Sequence, residues 1–377
     1  MGKMLTELVR IESPSSYPEG VNQAVDWVVA AVGGLGGRVR RHRARGYGDL
    51  LEVRFGKPRR GGKTVMLLGH LDTVWPVGTL RTMPVRSEGG RLFGPGVLDM
   101  KAGVVMAVAA LRALHAVPGA FDSELVLLLN SDEEVGSEAS RPLTEKLARQ
   151  ARAVFVLEPA QGEQGAYKTA RKGVGHYRLE VLGRAAHSGV DFTAGHSAVL
   201  EMGRQLERIA GLTDLDRGIT VNPGVIGGGT QPNVIAAHAW AEIDVRVKTK
   251  ADGERIERRL RALRPVDRHC RLELSGALNR PPMERTAPTV RLFRRAQGLA
   301  RQLGFNLEEA ATGGASDGNF TSALGVPTLD GMGAIGNGAH AADEAIQLSS
   351  LVPRATLLAG MIAETSREER QARSLDQ

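Results

Sequence analysis

The stretch 64-TVMLLGHLD-72 decides how the rest of the chain is read. Thr64 to Leu68 is a short β-branched and apolar run, which suits a strand buried on both faces better than a helix. It ends directly in two polar groups with chemistry, His70 and Asp72. Two later stretches repeat the pattern: 124-ELVLLLNSDEEVGS ends in adjacent carboxylates, and 153-AVFVLEP ends in Glu158 and a proline. Between them, Lys101 to Leu114 is apolar at helical spacing. Alternating strands and helices predict an α/β domain with a mostly parallel sheet. In such sheets, ligands gather beyond the carboxyl ends of the strands.

From about Gly173 the pattern changes. The stretches 175-GHYRLEVLG and 234-VIAAHAWAEIDVRV alternate as half-solvated antiparallel strands do. Beside them, 195-GHSAVLEMGRQLERIAG and 251-ADGERIERRLRAL read as helices. The expected layout is a catalytic α/β domain in two parts, 1–173 and 280–377, interrupted by a two-layer α+β domain over 174–279. The second part is read as a helix near 287–303, a glycine-rich stretch 313-GGASDGNF, a short strand at 326-VPTLD and a closing helix over 348–364. The tail from Arg367 is read as a frayed, charged end.

Composition narrows the function classes. Of 377 residues, 42% are apolar, enough for real cores, which excludes dominant disorder. The single Cys270 leaves no internal disulfide and no thiolate-cluster metal site. Lys and Arg number 49 against 42 Asp and Glu, a net charge of +7. The basic runs 255-RIERRLRALR and 291-RLFRRAQGLAR carry apolar residues at helical spacing, so their arginines read as solvated helix faces. Neither they nor 38-RVRRHRAR bring the stacking aromatics of a single-strand binder, and no nucleic-acid partner is expected. The net positive charge suits attraction of anionic small molecules. The longest apolar stretch, 103-GVVMAVAALRAL, is broken by Arg112 and too short to span a bilayer, so no membrane association is expected. The opening lacks a charged start followed by an apolar run, so no secretory signal is expected. MGKMLT fits the loose myristoylation pattern, but Met4, Leu5, Leu8, Val9 and Ile11 read better as one face of a first helix, and the cytoplasm is the expected location.

Five segments place metal-type residues at predicted strand ends or in loops: His70 with Asp72, Asp99 in 94-GPGVLDMKAG, Glu133 with Glu134, Glu158, and His340 in 331-GMGAIGNGAH. Singly, each has an ordinary structural explanation, such as a helix N-cap for Asp99. Together, carboxylates and imidazoles without cysteine form the donor set of a catalytic divalent-ion site. Carboxylates crowded at one sheet edge also call for a bound cation. A two-metal site accounts for the number, with His70, Asp99, Glu134, Glu158 and His340 as five ligands and Asp99 bridging. Asp72 is then expected to hydrogen-bond the second nitrogen of His70 and fix its tautomer. Glu133, beside a ligand but spare, is left as the general base.

The motifs HLDTV, GPGVLDMKAG, NSDEEVGS, VLEP, GRAAHSG and GAHAADE, in this order, resemble those of the di-zinc amidohydrolase and carboxypeptidase family. That family includes carboxypeptidase G, acetylornithine deacetylase and succinyl-diaminopimelate desuccinylase. The resemblance covers nearly the whole chain and implies two Zn²⁺ per subunit, replaceable by Co²⁺ or Mn²⁺, on the five ligands named above. It implies Glu133 as the acid/base acting on a metal-bridging water, and 174–279 as a lid that mediates homodimerisation. It also implies that His187 of GRAAHSG stabilises the oxyanion in the partner subunit's site. Asn233 in TQPNVI and Arg246 in DVRV match lid positions that line the site in relatives.

The reaction implied is hydrolysis of an amide next to a free α-carboxylate in a small N-acyl or peptidyl amino acid. The nearest resemblance is to carboxypeptidase G. Arg280 in NRPP resembles a residue that binds the substrate α-carboxylate there, and Thr312 and Gly313 resemble a substrate-backbone contact. Release of C-terminal glutamate or aspartate is therefore expected. The sequence departs from that pattern at Met283, and 315-ASDGN is nearer the desuccinylase style. The alternatives are an N-acyl-amino-acid deacylase of the same mechanism and a non-catalytic dimer that binds metal and ligand only.

Overall fold

The computed structural model describes residues 1–57, 62–120 and 123–374. The chain divides into two compact units, Met1–Ala170 with Arg285–Thr312 and Ser316–Gln377, and Arg171–Glu284 with Gly313–Ala315.

The first unit is built on a six-stranded sheet in the order Arg38–His42, Leu50–Phe55, Leu125–Asn130, Thr64–His70, Ala151–Val156 and Thr328–Leu329. The last four strands are parallel, with His70 opposite Asn130 and Leu68 opposite Val156. The first two join antiparallel. The mostly parallel α/β architecture read from the sequence is thus present at the centre of the sheet. Its antiparallel margin was not read, because Arg38, Arg40 and Arg41 are exposed on the edge strand and show no apolar alternation.

Both faces of the sheet are covered. Val65, Leu67, Leu127 and Phe155 pack into a core with the helices Gly2–Val9, Pro18–Ala31, Ala102–His115 and Leu351–Ser374. Met66, Leu68, Val126, Leu128 and Val154 point the other way, onto Leu147 and Ala148 of the helix Arg141–Ala148. Successive strand residues face opposite sides, so a sheet covered twice needs apolar residues at every position. Each fully buried Leu or Val contributes about 1.5–3 kcal/mol.

The helix Ala102–His115 is apolar on nearly every face and fully buried along most of its length. Arg112, the residue that interrupts its apolar run, donates from Nη2 and Nε to the carbonyl of Ala31 at 2.7 and 3.1 Å, capping the helix Pro18–Ala31. Gly103 lies against the strand end that leads to Glu158: a Cβ there would stand 1.9 Å from the Leu157 carbonyl oxygen.

One expectation for the second part of this unit needs correction. The closing helix runs Leu351–Ser374, so the charged tail is helical to Ser374; 375–377 lie outside the described residues. The glycine-rich stretch leads into the short helix Gly318–Ala323, which was not read from the sequence. A buried polar knot holds its start: Ser316 N–H donates to Asn319 Oδ1 at 2.9 Å, Ser316 Oγ to Asp330 Oδ2 at 2.6 Å, and Asn130 Nδ2 to Asp317 Oδ2 at 2.6 Å. A small sheet not read from the sequence joins Gly336–Asn337, Ala345–Gln347, Arg91–Phe93 and Arg86–Glu88.

The second unit is an antiparallel sheet in the order Thr220–Gly228, His238–Val247, Gly173–Leu182 and Arg271–Arg280. Leu179, Val181, Ala241, Ile243 and Val245 form one core with Met202 and Ile209 of the helix Ala198–Ala210 and Ile256 and Leu260 of the helix Lys250–Arg261. Ser197 and Thr249 cap these helices through their hydroxyls. The alternate strand positions carry polar groups, including Arg178 paired with Glu180 and Glu242. Among the described residues, no helix is long and apolar enough to cross a membrane.

Overpacking at the Leu157 contact gives a direct test of the helix-to-strand fit. Gly103→Ala should destabilise the metal-free protein by about 1–3 kcal/mol in chemical denaturation. Gly298→Ala, in the helix Ala287–Gln302 with open space at its Cβ position, should instead raise stability by about 0.4–1 kcal/mol.

Candidate functional site

Three parallel strands end at one edge of the six-stranded sheet and deliver three groups there. His70 is the last residue of Thr64–His70, Glu133 and Glu134 form a short turn three residues beyond Asn130, and Glu158 follows Val156 by two. Asp99 arrives from the irregular turn Val97–Lys101 before the helix Ala102–His115, and His340 from a loop in which its own φ is +62°. Asp99 does not cap that helix; the N-cap position is Lys101.

The five side chains converge. His70 Nε2 lies 3.3 Å from Asp99 Oδ1 and 3.5 Å from Glu158 Oε1. His340 Nε2 lies 3.4 Å from Asp99 Oδ2 and 3.3 Å from Glu134 Oε2. Asp99 thus offers one oxygen to each imidazole and stands between two groups of donors. Glu133 is also near: ligand atoms of His70, Glu133 and Glu158 all lie within 4.8 Å of one another, as do those of His70, Asp99 and Glu134. Distance alone therefore does not separate Glu133 from the ligand set.

The site fits a divalent ion on more than proximity. His70 Nε2, Asp99 Oδ1 and Glu134 Oε1 are buried without a hydrogen-bond partner, an arrangement that costs free energy unless something else occupies their lone pairs. Two imidazoles among carboxylates are a donor set for zinc and similar ions. The carboxylates and imidazoles also shift one another. The Asp99 and Glu134 carboxylates push His340 up to about 10, against its burial. Burial works to lower His70, but Asp72, Asp99 and Glu158 hold it well above the usual imidazole value. Burial also works to raise Asp99, yet His340 and His70 pull it below the carboxylate range. Glu134 is raised by burial.

Asp72 departs in detail from expectation. Its main-chain oxygen, not its carboxylate, is the close partner of His70 Nδ1, at 2.9 Å; Oδ1 stands at 3.5 Å. The carboxylate is engaged elsewhere. It accepts from Ser15 Oγ at 2.6 Å and from the Glu133 and Glu134 N–H groups at 3.2 and 3.1 Å. Fully buried, it ties the His70 strand end to the Glu133–Glu134 turn.

The residues taken from the resemblance for substrate contact lie elsewhere in the chain. His187 and Asn233 are exposed neighbours in the second unit, where Ser188 N–H donates to the Asn233 carbonyl at 3.0 Å. Arg246 is held by Asp244 through Nε and Nη2, both at 2.9 Å. Arg280 is the buried last residue of its strand. Arg246 and Arg280 stand opposite the same residue, Val174, on either side of the central strand. Thr312 ends the strand Glu309–Thr312, and Gly313 follows it with open space around its Cβ position. Arg171 is buried and donates to the Gly314 carbonyl at 3.1 Å.

Sequence reasoning missed the layer behind the ligands. Met100 Sδ accepts from the His70 N–H at 3.2 Å, and Ser13 Oγ donates to the Leu71 carbonyl at 2.7 Å. Lys101 is buried with Nζ donating to the Ile11 carbonyl at 2.6 Å. Burial pulls Lys101 down to about 7, opposed by the charges of Glu344 and Glu12. Glu344 was quoted within GAHAADE and given no role. Only Lys101 in GPGVLDMKAG carried a signal, a lysine inside an otherwise apolar segment.

The model of the family described as Peptidase family M20/M25/M40 matches residues 66–364, and the chain belongs to that family of metal-dependent hydrolases. It is 28% identical over 366 residues to carboxypeptidase G2 of Pseudomonas sp. (strain RS-16), covering 96% of this chain and 88% of the relative. It is also 28% identical over 328 residues to succinyl-diaminopimelate desuccinylase of Acidovorax ebreus (strain TPSY), covering 80% of each. A solved dinuclear metal-binding peptidase of the M20 family from Bacillus subtilis shares the fold with a TM-score of 0.70, covering 97% and 99% of the two chains at 13% identity.

Removing the Asp72 carboxylate should loosen this arrangement. Asp72→Ala leaves the Glu133 and Glu134 N–H groups and the Ser15 hydroxyl without their acceptor. Each donor left buried costs about 1–3 kcal/mol. Denaturant unfolding of the metal-free variant should show a loss of at least that size, whereas Asp343→Ala, exposed in the His340 loop, should stay within about 0.5 kcal/mol of the parent.

Proposed function

We propose that the protein is a two-metal hydrolase that cleaves an amide beside a free α-carboxylate, releasing C-terminal glutamate or aspartate from small N-acyl or peptidyl substrates. The observation that carries this reading is the convergence of His70, Asp99, Glu134, Glu158 and His340, in which His70 Nε2, Asp99 Oδ1 and Glu134 Oε1 are buried without a hydrogen-bond partner. These five residues would hold two zinc ions, with Asp99 shared between them and Co²⁺ or Mn²⁺ as substitutes. Ions bound there would supply Lewis acidity and lower the pKa of coordinated water from 15.7 to about 7.

The remaining chemistry belongs to the chain. Glu133, flanking this cluster, accepts the proton of the attacking water and returns it to the leaving amine nitrogen, a role worth about 10²–10⁴-fold. Asp72 holds the main chain of Glu133 and so sets where that base points. His187, in a homodimer formed through the inserted unit, donates to the oxyanion of the tetrahedral intermediate in the partner's site. Arg280 receives the substrate α-carboxylate, and Arg246, Asn233, Thr312 and Gly313 line the remainder. The pairing of two arginines across Val174 and the full-length similarity to carboxypeptidase G2 support this assignment. The cytoplasm is the proposed location.

The second reading, an N-acyl-amino-acid deacylase, is favoured by the similarity to succinyl-diaminopimelate desuccinylase over 80% of the chain. A hydrolysis screen distinguishes the two. Zinc- or cobalt-loaded enzyme should release glutamate or aspartate from acyl-glutamates and dipeptides faster than it deacylates acetylornithine or succinylated diamino acids; the reverse order selects the deacylase. Chelation should abolish turnover and metal replacement restore it. Glu133→Gln should lower kcat by about 10²–10⁴-fold with bound metal unchanged. Undiminished turnover in that variant removes Glu133 from its role, and a metal-loaded parent with no turnover on any of these substrates favours the non-catalytic binding protein.

A further inference from the structure

Asp99 is the ligand on which both groups of donors depend, yet the segment that carries it lacks regular structure. Val97–Lys101 is an irregular turn in which Asp99 has φ −110° and ψ 95°, and Gly96 just before it has a left-handed φ of +70°. Such a turn leaves several backbone N–H groups unpaired by its own carbonyls. They are satisfied by one distant side chain. Glu344, fully buried, accepts from Leu98 N–H at 2.8 Å and Asp99 N–H at 3.0 Å on Oε1. On Oε2 it accepts from Gly96 N–H at 2.9 Å and from the Trp75 indole at 2.7 Å. Its main-chain oxygen adds a bond from Gly94 N–H at 3.3 Å.

The position of Glu344 follows from the small sheet. Ala345 pairs with Phe93 and Asn337 with Ala345, so the segment after His340 lies beside the strand that leads into the Asp99 turn. Glu344 is four residues beyond His340, and Trp75 is five beyond His70. One carboxylate therefore joins the three segments that bring His70, Asp99 and His340 to the site. Four donors surround it, two on each oxygen, which matches the acceptor capacity of a carboxylate. An amide in its place would turn N–H groups toward two of those donors.

We propose that Glu344 is a positioning residue that holds the Asp99 segment in ligand-ready form before any ion arrives. The inference rests on the two-metal reading for what Asp99 is ready to do, and on hydrogen bonding alone for the order of the segment. A carboxylate placed this way lowers the cost of metal binding by ordering a ligand in advance, as groups behind first ligands generally do.

Hydrogen exchange on the full-length metal-free protein tests the ordering. Amides of Gly96, Leu98 and Asp99 should be protected in the parent, and unprotected exchange there would overturn the proposal without recourse to any variant. In Glu344→Gln the same amides should exchange at least about tenfold faster, while protection along Thr64–His70 is kept. Cobalt titration tests the consequence. Glu344→Gln should bind Co²⁺ about 10–100-fold more weakly, with an altered visible absorption spectrum and a fall in kcat larger than any change in KM; Glu344→Asp, too short to span the same donors, should not restore the parent spectrum. Parent-like amide protection, or cobalt affinity within twofold of the parent, would overturn the proposal. A parent that binds no cobalt would instead overturn the two-metal reading, and the exchange measurement would still decide whether Glu344 orders the turn.

Discussion

Negative charge crowded into a buried corner is the constraint around which this molecule is organised. Asp99, Glu134 and Glu158 meet two imidazoles at the carboxyl edge of a parallel sheet. Two like charges 4 Å apart repel by about 4 kcal/mol at an effective dielectric of 20, so such a corner persists only if cations or protons balance it. The same crowding raises the imidazoles of His70 and His340. Everything nearby resists relaxation of the crowding: Asp72 anchors one turn, Glu344 another, and Gly103 lets the helix after Asp99 lie directly on the Leu157 carbonyl.

Much of this was legible in the sequence, and the reasons are specific. Strands buried on both faces must be apolar throughout, so Thr64–His70, Leu125–Asn130 and Ala151–Val156 announced themselves, and chemistry-bearing residues at their carboxyl ends then had one place to meet. The edge strand Arg38–His42 was invisible because solvent on its outer side removes the pattern. The strands of the small sheet, two or three residues each, are too short to carry a period. The polar knot around Ser316, Asp317 and Asn319 shows in the sequence only as a glycine-rich stretch, since burial of polar side chains depends on partners far away in sequence.

At the site, residues whose chemistry is unusual for their surroundings could be picked out, whereas residues that act through the main chain could not. Asp72 was assigned a role toward His70 on its spacing, but its carboxylate serves two amides on another strand end. No spacing rule reveals that Glu344 reaches back to amides at Gly96, Leu98 and Asp99, because the contact depends on how Ala345 pairs with Phe93. Arg280 shows the same limit. Beside two prolines it reads as a turn residue, yet it closes a strand and is buried.

The two margins of the large sheet end in opposite ways. One is the arginine-bearing strand Arg38–His42, where Arg38 is tied to Glu124 and Arg41 to Asp26; the other is the two-residue strand Thr328–Leu329. Charged side chains on one rim and brevity on the other both deny a foreign chain the row of free amides and carbonyls it would need to extend the ladder. For so apolar a sheet, these rims work against open-ended pairing with other chains independently of the net charge.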